Sequence, residues 1–258
     1  MTAPVAFITG ASSGIGQAMA LRFYQAGYRL ALVARRSTEL QSWVDEQGWS
    51  ADSAVVFGAD VRDAAVITAA GRACIDALGL PDVVVACAGL SIGMDTAEFA
   101  DLAVMRTIYE TNNFGTAATF QPFVRAMCQR GSGRLVGIAS VNGIRGIPGH
   151  GAYCSSKAAI ISYLESLRGE CRPFGVKVVT LSPGYVKTPL TRANPYNMPF
   201  ALEASEFANR AFQAIEAGTS YRVIPWQMGV LAKLLRMLPN PVFDRVLASR
   251  PRKKRQRE

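Results

Sequence analysis

A short apolar run, Val5–Thr9, ends in the glycine-rich turn Gly10-Ala11-Ser12-Ser13-Gly14-Ile15-Gly16, and the turn opens directly into helical spacing over 15–25 that Gly27 stops. Few folds accommodate that order. Glycine permits a tight turn and close backbone approach, and the N-terminus of a helix offers unpaired N–H groups to an anion. A strand, such a turn and a helix in succession are therefore the first βα unit of a nucleotide-binding sheet. The same alternation continues, with strands predicted at 29–34, 54–58, 83–86, 134–139, 176–181 and 221–224. Helices are predicted at 37–47, capped by Ser37, and at 63–78, 152–172 and 201–217. Residues 99–130 exceed one ordinary helix and divide into a short helix and a longer one from near Tyr109. Strands that are apolar throughout and separated by helices predict a parallel sheet covered on both faces, so the fold class is α/β, doubly wound.

Composition narrows the class. Half of the 258 residues are hydrophobic and 18% are charged, the balance of a globular protein with one core, expected here to span 1–250. The five cysteines, Cys74, Cys87, Cys128, Cys154 and Cys171, form no C-x-x-C pair. They read as reduced thiols of a cytoplasmic protein, with no disulfide, zinc or other metal site expected. The chain enters a strand at once, so no secretion signal is expected.

The net charge of +9 invites a nucleic-acid partner, but 252–258, RKKRQRE, carries a net +4 of it. That concentration reads as a basic disordered tail, 251–258, and argues against nucleic acid. Residues 226–238 place Val230, Leu231, Leu234, Leu235 and Leu238 on one helical face with Lys233 and Arg236 off it. Packing on the body or against a second copy accounts for that face. With the basic tail it also suits weak contact with a membrane surface, leaving the protein peripheral there.

Candidate chemistry gathers in 140–157. Tyr153 and Lys157 are four residues apart and share a helix face, and Ser140 ends the fifth strand thirteen residues earlier. A phenol, an ammonium and a hydroxyl beyond the carboxyl ends of parallel strands suit proton transfer to a carbonyl oxygen. At the end of the second strand stand Arg35 and Arg36, where a carboxylate would favour NAD. Guanidinium matches a 2′-phosphate, so NADP(H) is the expected cofactor. The only histidine, His150, is expected to line a substrate mouth rather than to act in catalysis. The irregular stretch 185–200, with Pro189, Pro195 and Pro199, is expected to be a substrate lid.

TGASSGIG, Asp60-Val61, Ala88-Gly89, Asn112 in N-N-F-G, Ser140, Y-C-S-S-K and Pro183-Gly184 followed by Thr188 together resemble the short-chain dehydrogenase/reductase family, from about Val5 to Thr188. The resemblance implies a single Rossmann-like domain with about seven parallel strands, in the order 3-2-1-4-5-6-7. It implies hydride transfer between a nicotinamide cofactor and a small carbonyl or alcohol substrate, in a homodimer or homotetramer built on the two long helices. By the resemblance Tyr153 is the general acid or base, and Ser140 orients the substrate oxygen. Lys157 holds the nicotinamide ribose and lowers the Tyr153 pKa, and Asn112 supports a water-linked proton path. Cofactor contacts are implied for Gly10, Ser12, Ser13, Gly14, Ile15, Gly16, Arg35, Arg36, Asp60, Val61, Ala88, Gly89, Tyr153, Lys157, Pro183, Gly184, Val186 and Thr188. Asp60 would bond the adenine through its carboxylate. One departure is Ala86-Cys87 where many members have two asparagines, which removes an amide that braces the strand end. A non-catalytic NADP-binding sensor or partner subunit is the alternative from another class. An epimerase or dehydratase finds little room after Thr188 for a nucleotide-sugar domain.

Overall fold

The structure, a computed structural model, describes residues 3–192, 194 and 196–255. Seven strands form one sheet: β1 (Val5–Thr9), β2 (Arg29–Ala34), β3 (Ala54–Gly58), β4 (Val83–Ala86), β5 (Arg134–Ile138), β6 (Lys177–Pro183) and β9 (Tyr221–Ile224). Their order is β3-β2-β1-β4-β5-β6-β9, and every pairing is parallel. The expected order holds, with Tyr221–Ile224 as its seventh strand. The chain winds outward from β1 to β3 and then crosses to β4, so strand direction of travel reverses between β1 and β4. A crevice must open there, beyond the carboxyl ends of the strands.

Alternation along the strands divides the core. Ala6 and Ile8 point to one face, under α1 (Gly14–Gln25), α2 (Ser37–Glu46) and α8 (Ala204–Glu216), where Phe23, Leu40 and Phe207 are fully buried. Val5 and Phe7 point to the other, under α3 (Ala64–Leu78), α5 (Gly115–Arg130) and α6 (Gly151–Cys171), with Phe120, Phe123 and Leu164. Phe7 and Phe123 meet at 4.8 Å between ring centroids. Each large aromatic buried this way contributes about 1.5–3 kcal/mol through its apolar area.

Local differences from the sequence reading cluster near the crevice. Residues 101–130 form one rod: α4 (Asp101–Tyr109), a π-helical turn Glu110–Phe114 and α5 run on without a break. Ser37 begins α2 rather than capping it, while Asp63 does cap α3 through the N–H groups of Ala65 and Val66. Beyond β6 come a two-residue pair, β7 (Val186–Lys187) with β8 (Leu202–Glu203), and between them the short α7 (Pro189–Arg192). The expected helix is α9 (Trp226–Met237), but it buries Met228, Gly229 and Ala232 and exposes Val230 and Leu234. A helix not expected from the sequence, α10 (Asn240–Leu247), follows it and buries Phe243 and Leu247. Nor do residues 251–255 form a free tail. They lie along the 91–101 loop, with Gly93 N–H donating to the Lys254 carbonyl at 3.2 Å and Arg255 Nε to Asp101 at 2.8 Å. The buried carboxylate of Asp101 supplies the physical reason, because it requires a cation. Residues 256–258 lie outside the described residues, as do 193 and 195 of the expected lid.

Candidate active site

Ser140 follows β5, and its Oγ accepts from Asn142 N–H at 3.1 Å, fixing the start of the next turn. The same hydroxyl lies close enough to the Tyr153 phenol to lower its pKa. Lys157, one turn along α6, is buried, with Nζ 5.7 Å from the Tyr153 ring centroid, and it donates to the Ile138 carbonyl at 2.7 Å. An ammonium has three protons. Two remain beyond the one the carbonyl takes, and Gly89 is close by, where a Cβ would stand 3.7 Å from Nζ.

The ionisation state differs from expectation. Burial raises Tyr153 to about 12, and the Ser140 contact lowers it only in part. Burial also pulls Lys157 down to about 8. Desolvation is the largest influence on both groups, and the protein's own groups leave the phenol protonated and able to donate.

Asn112 sits in the π-helical turn, a form often found where a side chain is re-aimed at a functional site. Its Oδ1 accepts from Leu90 N–H at 2.8 Å, while Nδ2 donates to the Leu90 carbonyl at 3.0 Å and to Ser156 Oγ at 2.9 Å. The amide is therefore occupied in joining the end of β4 to α6. The Thr9 hydroxyl adds to this by accepting from Cys87 N–H at 3.1 Å and Ala88 N–H at 3.4 Å. Together they brace the strand end that the Ala86-Cys87 departure had deprived of an amide. Cys87 itself is held neutral, its thiol pushed up to about 12 by burial.

The crevice between β1 and β4 is continuous with these groups. A cleft of about 390 Å³ is lined by Gly10, Ser12, Ser13, Arg35, Arg36 and Asp60, among others. A narrower extension of about 110 Å³ reaches Tyr153, Lys157, Cys87, Pro183 and Thr188. Ser13, Gly89, Leu90, Pro189 and Leu190 line both. Gly10 has φ +68°, and a Cβ there would stand 2.8 Å from the Ala88 backbone, so only glycine lets the turn close on β4. Ser13 precedes α1 with its side chain uncommitted to a cap, and no acid occupies the first turn. These free donors fit a pyrophosphate, and the two arginines at the far end fit further negative charge.

Several expected contacts are placed differently. Asp60 receives Arg62 at 2.7 Å and stands 4.0 Å from Arg35, and the Arg62 hydrogen bonds hold its carboxyl below the usual range. Its carboxylate is thus shared with cations rather than free for an adenine. Arg62, next to the Asp60-Val61 motif, escaped the sequence reading although its charge and position were visible. Val186 is buried in the core, and its carbonyl accepts from Thr191 Oγ1 at 2.7 Å, leaving no side chain to meet a cofactor. Gly16 and Gly184 are packing positions, where a Cβ would stand 2.2 Å from the Gly10 carbonyl and 2.6 Å from Met228 respectively. Thr111, unexpected, lines the cleft.

The 185–200 stretch contributes to two spaces. Pro189 and Leu190 cover the cleft, whereas Tyr185, Tyr196, Asn197 and Pro199 face a second cavity of about 540 Å³ that begins at Val141 and Asn142, next to Ser140, and lies against α9 and α10. His150 heads α6, buried, with its ring 5.9 Å from that of Tyr196. Burial holds it neutral, its pKa lowered to about 4.

Comparison with known proteins agrees with this geometry. The short chain dehydrogenase family model matches residues 4–198. An uncharacterised oxidoreductase of Myxococcus xanthus is 36% identical over 244 residues, covering 95% of this chain and 96% of the relative. A short-chain dehydrogenase/reductase of Burkholderia phymatum, solved with NAD, superposes with a TM-score of 0.81 at 24% identity, over 96% of each chain. The structure of ElxO with NADP bound gives 0.78 at 20% identity, over 86% of this chain and 97% of the other. The last two likenesses concern the fold.

Proposed function

Because the chain belongs to the short-chain dehydrogenase family, and so to oxidoreductases that use a nicotinamide cofactor, we propose that it interconverts a carbonyl and an alcohol with NADP(H), Tyr153 transferring the proton. The observation that carries this reading is one continuous cleft with Tyr153 and Lys157 at one end and Arg35 and Arg36 at the other. When bound, the nicotinamide supplies or accepts the hydride. Ser12, Ser13 and the open end of α1 would hold the pyrophosphate, and Arg35 and Arg36 the 2′-phosphate. Arg36 already reaches Ser12 Oγ at 3.5 Å, so it can bridge turn and phosphate.

At the other end the protonated phenol donates to the substrate oxygen, and Ser140 orients that oxygen. Lys157 offers its two free protons to the ribose, and its charge stabilises the phenolate that remains. Asn112 keeps Leu90 and α6 in register around the proton path. Five cysteines, none of them disulfide-bonded, suit a cytoplasmic enzyme. A homodimer or homotetramer would cover Phe114 and Tyr163, which α5 and α6 leave exposed. On α9, Trp226, Val230, Leu234 and Met237 form an exposed apolar stripe at helical spacing, suited to shallow contact with a membrane surface.

The test is NADPH consumption by the purified protein over aldehydes, ketones, steroids and acyl thioesters. Turnover of at least one class, faster with NADPH than with NADH, is expected. Tight NADPH binding with no turnover anywhere in the panel would instead favour a sensor.

A further inference from the structure

The cavity beside the catalytic groups is mostly apolar, walled by Met228, Leu231 and Leu235 of α9 and by Phe243 and Leu247 of α10. Two arginines face it, and they differ. Arg145 is satisfied: its guanidinium donates to the Leu235, Arg236 and Leu238 carbonyls and to Asn240 Oδ1, and lies over the Phe243 ring. Arg250 donates to Tyr185 Oη at 2.8 Å and lies 4.5 Å from the Tyr196 ring centroid. Among the described residues it has no carboxylate partner, although Arg252 pairs with Asp95 and Arg255 with Asp101 on the same segment.

Lys253 repeats the pattern. It is half-buried, its Nζ donates to Ser91 Oγ at 3.0 Å, and no carboxylate among the described residues meets it. Between these cations lies His150, buried, with neither ring nitrogen hydrogen-bonded among the described residues. Charge withdrawn from water is ordinarily paired, and a buried imidazole N–H ordinarily finds an acceptor. Arg250 lines the cavity, and both it and Lys253 act on His150; a group of cations with no carboxylate among them calls for an anion.

Tyr196 gives the connection. It stacks under Arg250, meets His150 ring to ring, and is near enough to the Tyr153 phenol to perturb it. Tyr196 therefore links the proton donor to Arg250. We propose, resting on the carbonyl–alcohol reading above, that the substrate is amphipathic: its carbonyl and an anionic group lie at one end, at Tyr153 and at Arg250 with Lys253, and its apolar body fills the cavity between α9 and α10.

The C-terminal segment 248–255 is then part of the substrate site. Gly93 makes its path possible, since a Cβ there would stand 2.2 Å from the Lys253 carbonyl. The segment brings Ser249, Arg250 and Pro251 to the cavity wall and Lys253 to the loop after β4.

Calorimetric binding of decanoate and of 1-decanol to the full-length protein tests this without requiring turnover. Decanoate is expected to bind at least about tenfold tighter than decanol, the worth of a charge-assisted hydrogen bond withdrawn from water. Arg250→Gln and Lys253→Gln should each narrow that ratio, and Arg250→Lys should retain most of it, with NADPH affinity and melting temperature confirming an intact fold. Equal binding of acid and alcohol by the wild type, or a ratio that neither glutamine variant changes, would overturn the proposal. Failure of every carbonyl to consume NADPH would count against the enzyme reading, and the decanoate ratio would still decide the cavity's chemistry.

Discussion

Burial dominates at both Tyr153 and Lys157: the phenol is raised to about 12 while Lys157 falls to about 8. The sign for activity follows. Below about pH 7 Lys157 is charged and stabilises the phenolate left by proton donation, and above about pH 8 that charge is progressively lost. kcat/KM for carbonyl reduction should therefore be level at neutral pH and fall on the alkaline side, and a profile level to about pH 10 would contradict this assignment. The proposed NADP preference rests on Arg35 and Arg36, both with exposed guanidiniums at one end of the cleft. Arg35→Asp should weaken NADPH by about tenfold or more, one charge-assisted hydrogen bond, and NADH much less; titrations of both nucleotides would show it. An unchanged preference would remove the argument for NADP.

At the scale of elements, the π-helical turn sets the position of Asn112, whose amide holds Leu90 by two hydrogen bonds and Ser156 by a third. Asn112→Ala leaves the part-buried Leu90 N–H and C=O without their side-chain partner, at a cost of about 1–3 kcal/mol. The melting temperature should fall by several degrees together with turnover. A variant that melts like the wild type would show the bracing to be incidental. The strands were legible because each is apolar throughout, as burial on both faces requires, and the first βα turn announced the crevice by its glycines. The π-helical turn was not legible, since Glu110–Phe114 has the composition of ordinary helix and differs only in hydrogen-bond register. Helix α10 was missed although Phe243 and Leu247 stand four apart after a proline-rich start. The Ser140-Tyr153-Lys157 group was found from spacing and resemblance, whereas Thr9 and Arg62 came to light only where their partners could be seen.

For the whole molecule, the net charge misled about the C-terminus. Five basic residues in a row of seven read as a solvated tail, yet Arg252 and Arg255 pair with Asp95 and Asp101 more than 150 positions earlier in the chain. Such long-range pairing leaves no local pattern. The exposed stripe on α9 carries the remaining prediction at this scale. Full-length protein should float with anionic vesicles, and Val230→Glu with Leu234→Glu should return it to the soluble fraction. Equal recovery of both forms in that fraction would exclude the membrane contact. The central claim is that a Tyr153 proton and a nucleotide hydride meet at one carbonyl, and its most direct measurement is NADPH oxidation by Tyr153→Phe beside the wild type, with NADPH affinity measured on both. Loss of turnover by about 10²–10⁴-fold, the usual worth of a positioned proton donor, with affinity within about twofold, is the predicted result; near wild-type turnover by the phenylalanine variant would contradict it.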